Sequence, residues 1–151
     1  MKPLVTFIIK TRNEGNLVKP ALQSILDQDF DGMEVFVWDK NSGPRTRKIL
    51  QRLVRRYTGP HAVRLFQDRH NFFPSFRPSN RMMKEAAGEY VVVGGGDDIQ
   101  EAHRVRKVAE IFEETGVAAL SSSAAIIDHK GRYLGERNRV TEKAPFKATW
   151  S

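Results

Sequence analysis

Gly94-Gly95-Gly96-Asp97-Asp98 is the stretch of this sequence with the most specific chemistry. Two adjacent carboxylates behind a run of glycines suit a hard divalent cation, Mg²⁺ or Mn²⁺. Such an ion takes oxygen ligands and bridges protein carboxylates to substrate phosphates. The glycines let a backbone or a phosphate come close. A second reading fits the same residues: Asp98 caps the helix that follows, with Glu101 completing a capping box. Thr11-Arg12-Asn13-Glu14 stands where an apolar run gives way to a helical pattern, a place that favours anions and could hold a ribose or base. Ordinary helix capping is the alternative there, for Asn13 above all. Asp39, in Trp38-Asp39-Lys40-Asn41-Ser42-Gly43, suits hydrogen bonds from a ribose or base, or turn formation by the Asp-x-Asn-Ser-Gly pattern.

Other chemistries are excluded. The chain has no cysteine, so disulfides, thiolate metal sites and cysteine nucleophiles drop out. Its histidines, at 61, 70, 103 and 129, lack the spacing of a zinc site. The glycine run has no Gly-Lys-Ser/Thr ending, so it is not a phosphate-cradling P-loop. Ser121-Ser122-Ser123 lacks the flanking glycines of a nucleophile elbow.

Alternating short apolar runs and helix-period segments must position these residues. Leu4–Ile9, Glu34–Trp38, Ala62–Phe66, Tyr90–Val93 and Val117–Leu120 read as strands. Leu17–Asp27 reads as a helix with Asn16 as N-cap and Pro20 in its first turn. Further helices are expected over Arg45–Tyr57, from about Ser79 to Ala87, and from about Gln100 to Glu114. An aromatic loop, Asn71–Phe76, precedes the third of these helices, and Ala124–Ile127 with Tyr133-Leu134 flank a hairpin turn. After Gly135 the pattern is lost, and 135–151 reads as an irregular tail of a single domain spanning 1–151. Such alternation predicts an α/β fold, mainly a parallel sheet with helices on both faces. Ligands then bind beyond the carboxyl ends of the strands, where Lys10–Glu14, Asp39–Gly43, Gln67–Phe76 and Gly94–Asp98 should converge.

The chain has 151 residues, 40% apolar and 28% charged, an ordinary globular balance. No apolar run approaches the ~20 residues of a membrane-spanning helix, and the N-terminus lacks a signal-peptide pattern. The expected location is cytoplasmic, with peripheral contact at the inner face of the membrane left open. The net charge of +7 is local: Lys40 to Gln67 holds eight cations and no Asp or Glu, leaving 17 − 18 = −1 elsewhere. A solvated helix face accounts for this stretch, and attraction to anionic lipid headgroups also fits it. Nucleic acid is not expected as a partner, because neither interleaved aromatics nor a groove-reading motif accompanies the charge.

The order of these pieces resembles the family 2 glycosyltransferases of the Rossmann-like GT-A fold. The family's Thr/Ser-x-Asn turn stands here as Thr11-Arg12-Asn13, its Ser-Ile-Leu-x-Gln as Ser24-Ile25-Leu26-Asp27-Gln28, and its Asp-Asp-x-Ser as Asp39-Lys40-Asn41-Ser42. An Asn before a helix leading to Ala-x-Gly-Glu-Tyr appears as Asn80 and Ala86-Ala87-Gly88-Glu89-Tyr90, and the acidic metal motif as Gly96-Asp97-Asp98-Ile99. The resemblance implies that Asp98 coordinates Mg²⁺ or Mn²⁺ on the diphosphate of a nucleotide sugar, a UDP-sugar in most of the family. Asp97 would lie beside it near the sugar or ribose. Thr11, Asn13, Glu14, Asp39, Lys40 and Asn80 would fall in the nucleotide-sugar site. It further implies transfer with inversion to a hydroxyl on a saccharide or lipid-linked acceptor. Three departures from the pattern stand out. Lys40 replaces the Asp that receives the base N–H, Lys10 replaces a proline, and the acceptor half with its general base has no counterpart. The expectation is therefore a donor-binding portion, C-terminally truncated and inactive alone. A non-catalytic nucleotide- or phosphate-binding module of the same fold is the alternative.

Overall fold

A computed structural model describes residues 4–68 and 76–137, with only the backbone described for 76–79. The chain runs β1 (Val5–Thr11), α1 (Val18–Leu26), β2 (Glu34–Asp39), α2 (Pro44–Arg56), β3 (Ala62–Gln67), α3 (Phe76–Glu85), β4 (Tyr90–Gly95), α4 (Arg104–Thr115), β5 (Ala124–Ile127) and β6 (Tyr133–Arg137). The first four strands form one sheet in the order β3-β2-β1-β4, and every pairing in it is parallel. The expected α/β architecture therefore holds.

Both faces of the sheet are covered, which is why β1 and β2 read as near-continuous apolar runs. Alternate residues divide between two cores. Val5, Phe7 and Ile9 of β1 join Val35 and Val37 of β2 against α1, α2 and α4. Ile8, Phe36 and Trp38 face the other way and meet Met82 of α3. Burying each large apolar side chain here contributes about 1.5–3 kcal/mol. Gly88 admits this packing at the entry to β4: a Cβ there would lie 2.4 Å from the Thr6 backbone nitrogen.

Strand order is what creates a site. β1 leads outward through β2 to β3, and the chain then crosses over α3 to place β4 on the opposite side of β1. The order thus reverses at the β1/β4 boundary, where α/β sheets open a crevice for ligands.

Several expected boundaries differ. Leu17, not Asn16, is the N-cap of α1, because Gly15–Leu17 forms a 3-10 turn that carries Asn16 inside it. Val117–Leu120 is not a strand: no strand pairs with it among the described residues, and Val117 and Leu120 are 42% and 40% exposed. A strand without a hydrogen-bonded neighbour has nothing to satisfy its backbone groups. The hairpin of β5 and β6 forms, and its turn is held by Asp128, whose carboxylate accepts the Lys130 and Arg132 amides. β6 continues to Arg137, into the segment read as an irregular tail, whose remainder lies outside the described residues. Of the aromatic loop, 71–75 also lie outside them, and Phe76 opens α3. No helix among the described residues is long and apolar enough to cross a membrane.

Candidate functional site

The turns after β1 and β2 are tied to each other. Thr11 and Asp39 are partners in the β1–β2 register and fall on the same face of the sheet. Beyond them the Lys40 amide donates to the Thr11 carbonyl at 2.9 Å. Asn13 takes a left-handed φ of 67°, a conformation asparagine tolerates better than most residues. From there its amide donates to Ser42 Oγ and its Oδ1 accepts the Gly43 amide at 2.7 Å. One turn further, the Gly15 amide donates to Thr46 Oγ1. Asn13 is therefore a clasp between two loops and caps no helix.

Glu14 closes the first of these turns, its carboxylate accepting the Thr11 hydroxyl and the Arg12 amide. Asp39 is fully buried. Its Oδ1 accepts the Ser42 amide at 2.8 Å and its Oδ2 the Gln67 side-chain amide at 3.0 Å. The Arg47 Nε lies 3.7 Å from that second oxygen, too far for a hydrogen bond, and is itself buried without one. The Asp-x-Asn-Ser-Gly turn is thus formed, and Asp39 both shapes it and carries its charge. Lys40 points to the other side of the strand, where its Nζ lies 5.6 Å from the centre of the Trp38 ring. Trp38 in turn donates its indole N–H to Asp68.

The turn after β4 is open. Asp97 and Asp98 are both exposed. A Cβ placed on Gly95 would lie 2.7 Å from Asp98 Oδ2 and 3.0 Å from Asp97 Oδ1, so both carboxylates converge on a cradle that only glycine leaves free. The Gly95 amide donates to Asp98 Oδ2 at 3.2 Å. Gly96 brings this turn against β1, since a Cβ there would be 2.7 Å from Thr11 Cβ. Asp98 does not cap α4. That cap position belongs to His103, which makes no side-chain bond, and Glu101 completes no capping box. Among the described residues no group of three or more His, Cys, Asp or Glu side chains is assembled. The Asp97–Asp98 pair is a hard oxygen donor set that fits Mg²⁺ or Mn²⁺ only with oxygens from a ligand completing the shell.

The position of this turn is set from α1. Gln28 donates to the Ser24 and Glu101 carbonyls and its Oε1 accepts the Val105 amide at 2.9 Å. Ser24 Oγ accepts the Gln100 amide. The Ser24–Gln28 pattern thus anchors the segment between β4 and α4, a role its sequence gives no means to read. Arg104 likewise carries no motif in the sequence. It is the first residue of α4, where the helix dipole disfavours a cation. Its guanidinium lies 5.9 Å from the Phe7 ring centre and contacts Gln100. Burial lowers its pKa from the ordinary value, and the nearby Asp98 charge opposes that shift. A cation against its helix dipole is the signal that could have found it. Asn80 is exposed within α3, four residues past the helix start, instead of preceding the helix.

The model of the family described as "Glycosyl transferase family 2" matches residues 6–149. A teichuronic acid biosynthesis glycosyltransferase named as putative, TuaG of Bacillus subtilis, is 27% identical over 145 residues, which is 96% of this chain and 56% of that protein. The crystal structure of S. aureus TarS 1–349 in complex with UDP-GlcNAc superposes with a TM-score of 0.64 at 26% identity, covering 77% of this chain and 32% of that one. The mannosyltransferase PcManGT from Pyrobaculum calidifontis, in complex with GDP-Man and Mn²⁺, shares the fold with a TM-score of 0.64 at 23% identity over 85% of this chain and 36% of that one. The chain spans between 30% and 56% of the lengths of three curated relatives it matches.

Proposed function

The chain belongs to glycosyl transferase family 2, and on that premise we propose that it binds the donor of a sugar transfer, a UDP-sugar, at the β1/β4 boundary. One observation carries the reading. The open Asp97–Asp98 turn is packed through Gly96 onto Thr11, at the point where the strand order reverses. Thr11, Asn13, Glu14 and Asp39 frame the nucleotide side, with the buried Asp39 holding the loop that a ribose or base would meet. Asp98, with Asp97 beside it, would hold Mg²⁺ or Mn²⁺. Such an ion supplies positive charge to a diphosphate leaving group. Arg104 adds a second cation on the same side. The reaction proposed for the whole protein is transfer with inversion to a hydroxyl of a saccharide or lipid-linked acceptor, with 1–151 as one donor-binding domain.

A binding module without turnover is the second reading, favoured by Lys40. An ammonium has donors and no acceptor, so it cannot receive the N–H of a uracil ring. Thermal unfolding against UDP, GDP, CDP and ADP, with and without Mn²⁺, tests donor binding. A Mn²⁺-dependent rise in Tm with UDP supports it, and a Tm indifferent to every diphosphate rejects it. Acceptor-dependent release of UDP from a UDP-sugar separates transfer from binding alone.

A further inference from the structure

The outward side of α2 is a second charged surface that the donor site does not use. Taking about 100° per residue, Arg45, Lys48, Arg52, Arg55 and Arg56 fall within an arc of roughly 100°. Leu50 lies opposite, buried in the core, and Leu53 beside it is half-buried against the same core. All five cations are exposed, and four of them line one open depression together with Gln51. None has a carboxylate partner among the described residues. This differs from α4, where Arg106 pairs with Asp29 and Lys107 with Glu110. Lys48, Arg52 and Arg56 succeed each other at i, i+4, a spacing at which like charges destabilise a helix. Arg55 and Arg56 recover part of this at the helix C-terminus, where cations are favoured. Arg45 and Lys48 have no such compensation.

We propose that this face of α2 docks the protein on an anionic phospholipid surface. Charge complementarity argues for that occupant: the cations form a ridge along the helix axis, about 16 Å from Arg45 to Arg56, which suits a plane of headgroups. The face offers no aromatic for base stacking, because Tyr57 turns inward and stacks on His61. That counts against a nucleic acid. α2 starts after its N-cap Gly43, beside the Asn13 clasp, and runs back along the sheet away from the strands' carboxyl ends. A helix lying on the membrane would leave the crevice between β1 and β4 opening along the membrane plane. Docking needs no nucleotide, so it stands or falls separately from the donor site.

Vesicle co-sedimentation of the full chain tests the proposal, with phosphatidylcholine vesicles compared with phosphatidylcholine–phosphatidylglycerol vesicles. Each surface cation contributes about fivefold to such binding. The parent should bind the anionic vesicles at least ~100-fold more tightly, and less so as salt is raised. The variant Lys48→Gln/Arg52→Gln/Arg55→Gln/Arg56→Gln should lose that preference. The two-charge variant Lys48→Gln/Arg52→Gln should weaken it markedly, and a charge-matched control on α4, Arg106→Gln/Lys107→Gln, should keep it. Circular dichroism on each variant confirms that the fold is retained, and single substitutions replace any variant that unfolds. Equal binding to both vesicle types, or an unaffected α2 variant, overturns the proposal. So does displacement by millimolar inorganic phosphate, which would mark a small-anion site, or tighter binding of a DNA duplex than of the anionic vesicles.

Discussion

The turns after β1 and β2 and the turn after β4 share one edge of the sheet and spend their polar groups in opposite ways. In the first pair, Asn13, Ser42, Thr46 and the buried Asp39 satisfy one another and the backbone. In the second, Asp97 and Asp98 stay exposed, and among the described residues the one hydrogen bond to either carboxylate is the 3.2 Å contact from the Gly95 amide to Asp98. A carboxylate that is buried and fully engaged is a stability element, because its partners lose their bonds with it. An exposed pair facing a glycine cradle contributes little to folding and leaves most of its lone pairs unengaged by the chain. The same residue type thus builds the site on one side and is left available on the other.

The largest effect expected from this contrast is on stability. Asp39→Ala strands the Ser42 amide, the Gln67 side chain and the Arg47 charge together, and should lower the unfolding free energy by about 3 kcal/mol. Urea unfolding measures this, and a loss below about 1 kcal/mol would show that Asp39 is not the keystone of its turn. Asp98→Asn should do the reverse. An exposed substitution of this kind shifts stability by no more than about 0.5 kcal/mol, while the Mn²⁺-dependent part of the UDP-induced rise in Tm disappears. Equal nucleotide stabilisation in mutant and parent would remove the metal role from Asp98.

A smaller effect separates the two sides of β2. Lys40→Asp gives a uracil N–H an acceptor and releases the contact with Trp38, so UDP should bind about fivefold more tightly. Titration calorimetry reads the change, and an unaltered affinity places Lys40 outside the pocket. The smallest effect lies away from the site, at the far end of α2. Burial holds the His61 pKa below its ordinary 6.5, against the opposing influence of a bond to the Leu26 backbone and the Asp31 charge. The unfolded chain therefore binds the proton more readily than the folded one. This contribution to stability is complete above about pH 6.5 and declines as the pH falls toward the folded value. Tm followed from about pH 7.5 to about pH 5.5 should fall, and less steeply in His61→Phe. An identical slope in the variant would assign the acid sensitivity to other groups.

Much of this molecule was determined locally. The continuous apolar runs of β1 and β2, the i, i+3, i+4 pattern of α4 and the Asp128–Gly131 turn depend on neighbours within a few residues, so composition and spacing declared them. The candidate segments were legible for the same reason, since each follows a strand. Val117–Leu120 misled because an apolar run specifies a strand only when another strand is there to pair with it. How each candidate residue is engaged was decided by tertiary structure. Only the reversal of strand order brings Gly96 onto Thr11, and only the long-range bonds of Gln28 to Glu101 and Val105 hold the acidic turn in place. For Asn13 and Asp98 the sequence left helix capping open beside a ligand role, because a capping pattern is local. The bonds that Asn13 makes to Ser42 and Gly43, and the 3-10 and turn segments that move the real caps to Leu17 and His103, depend on where separate elements meet.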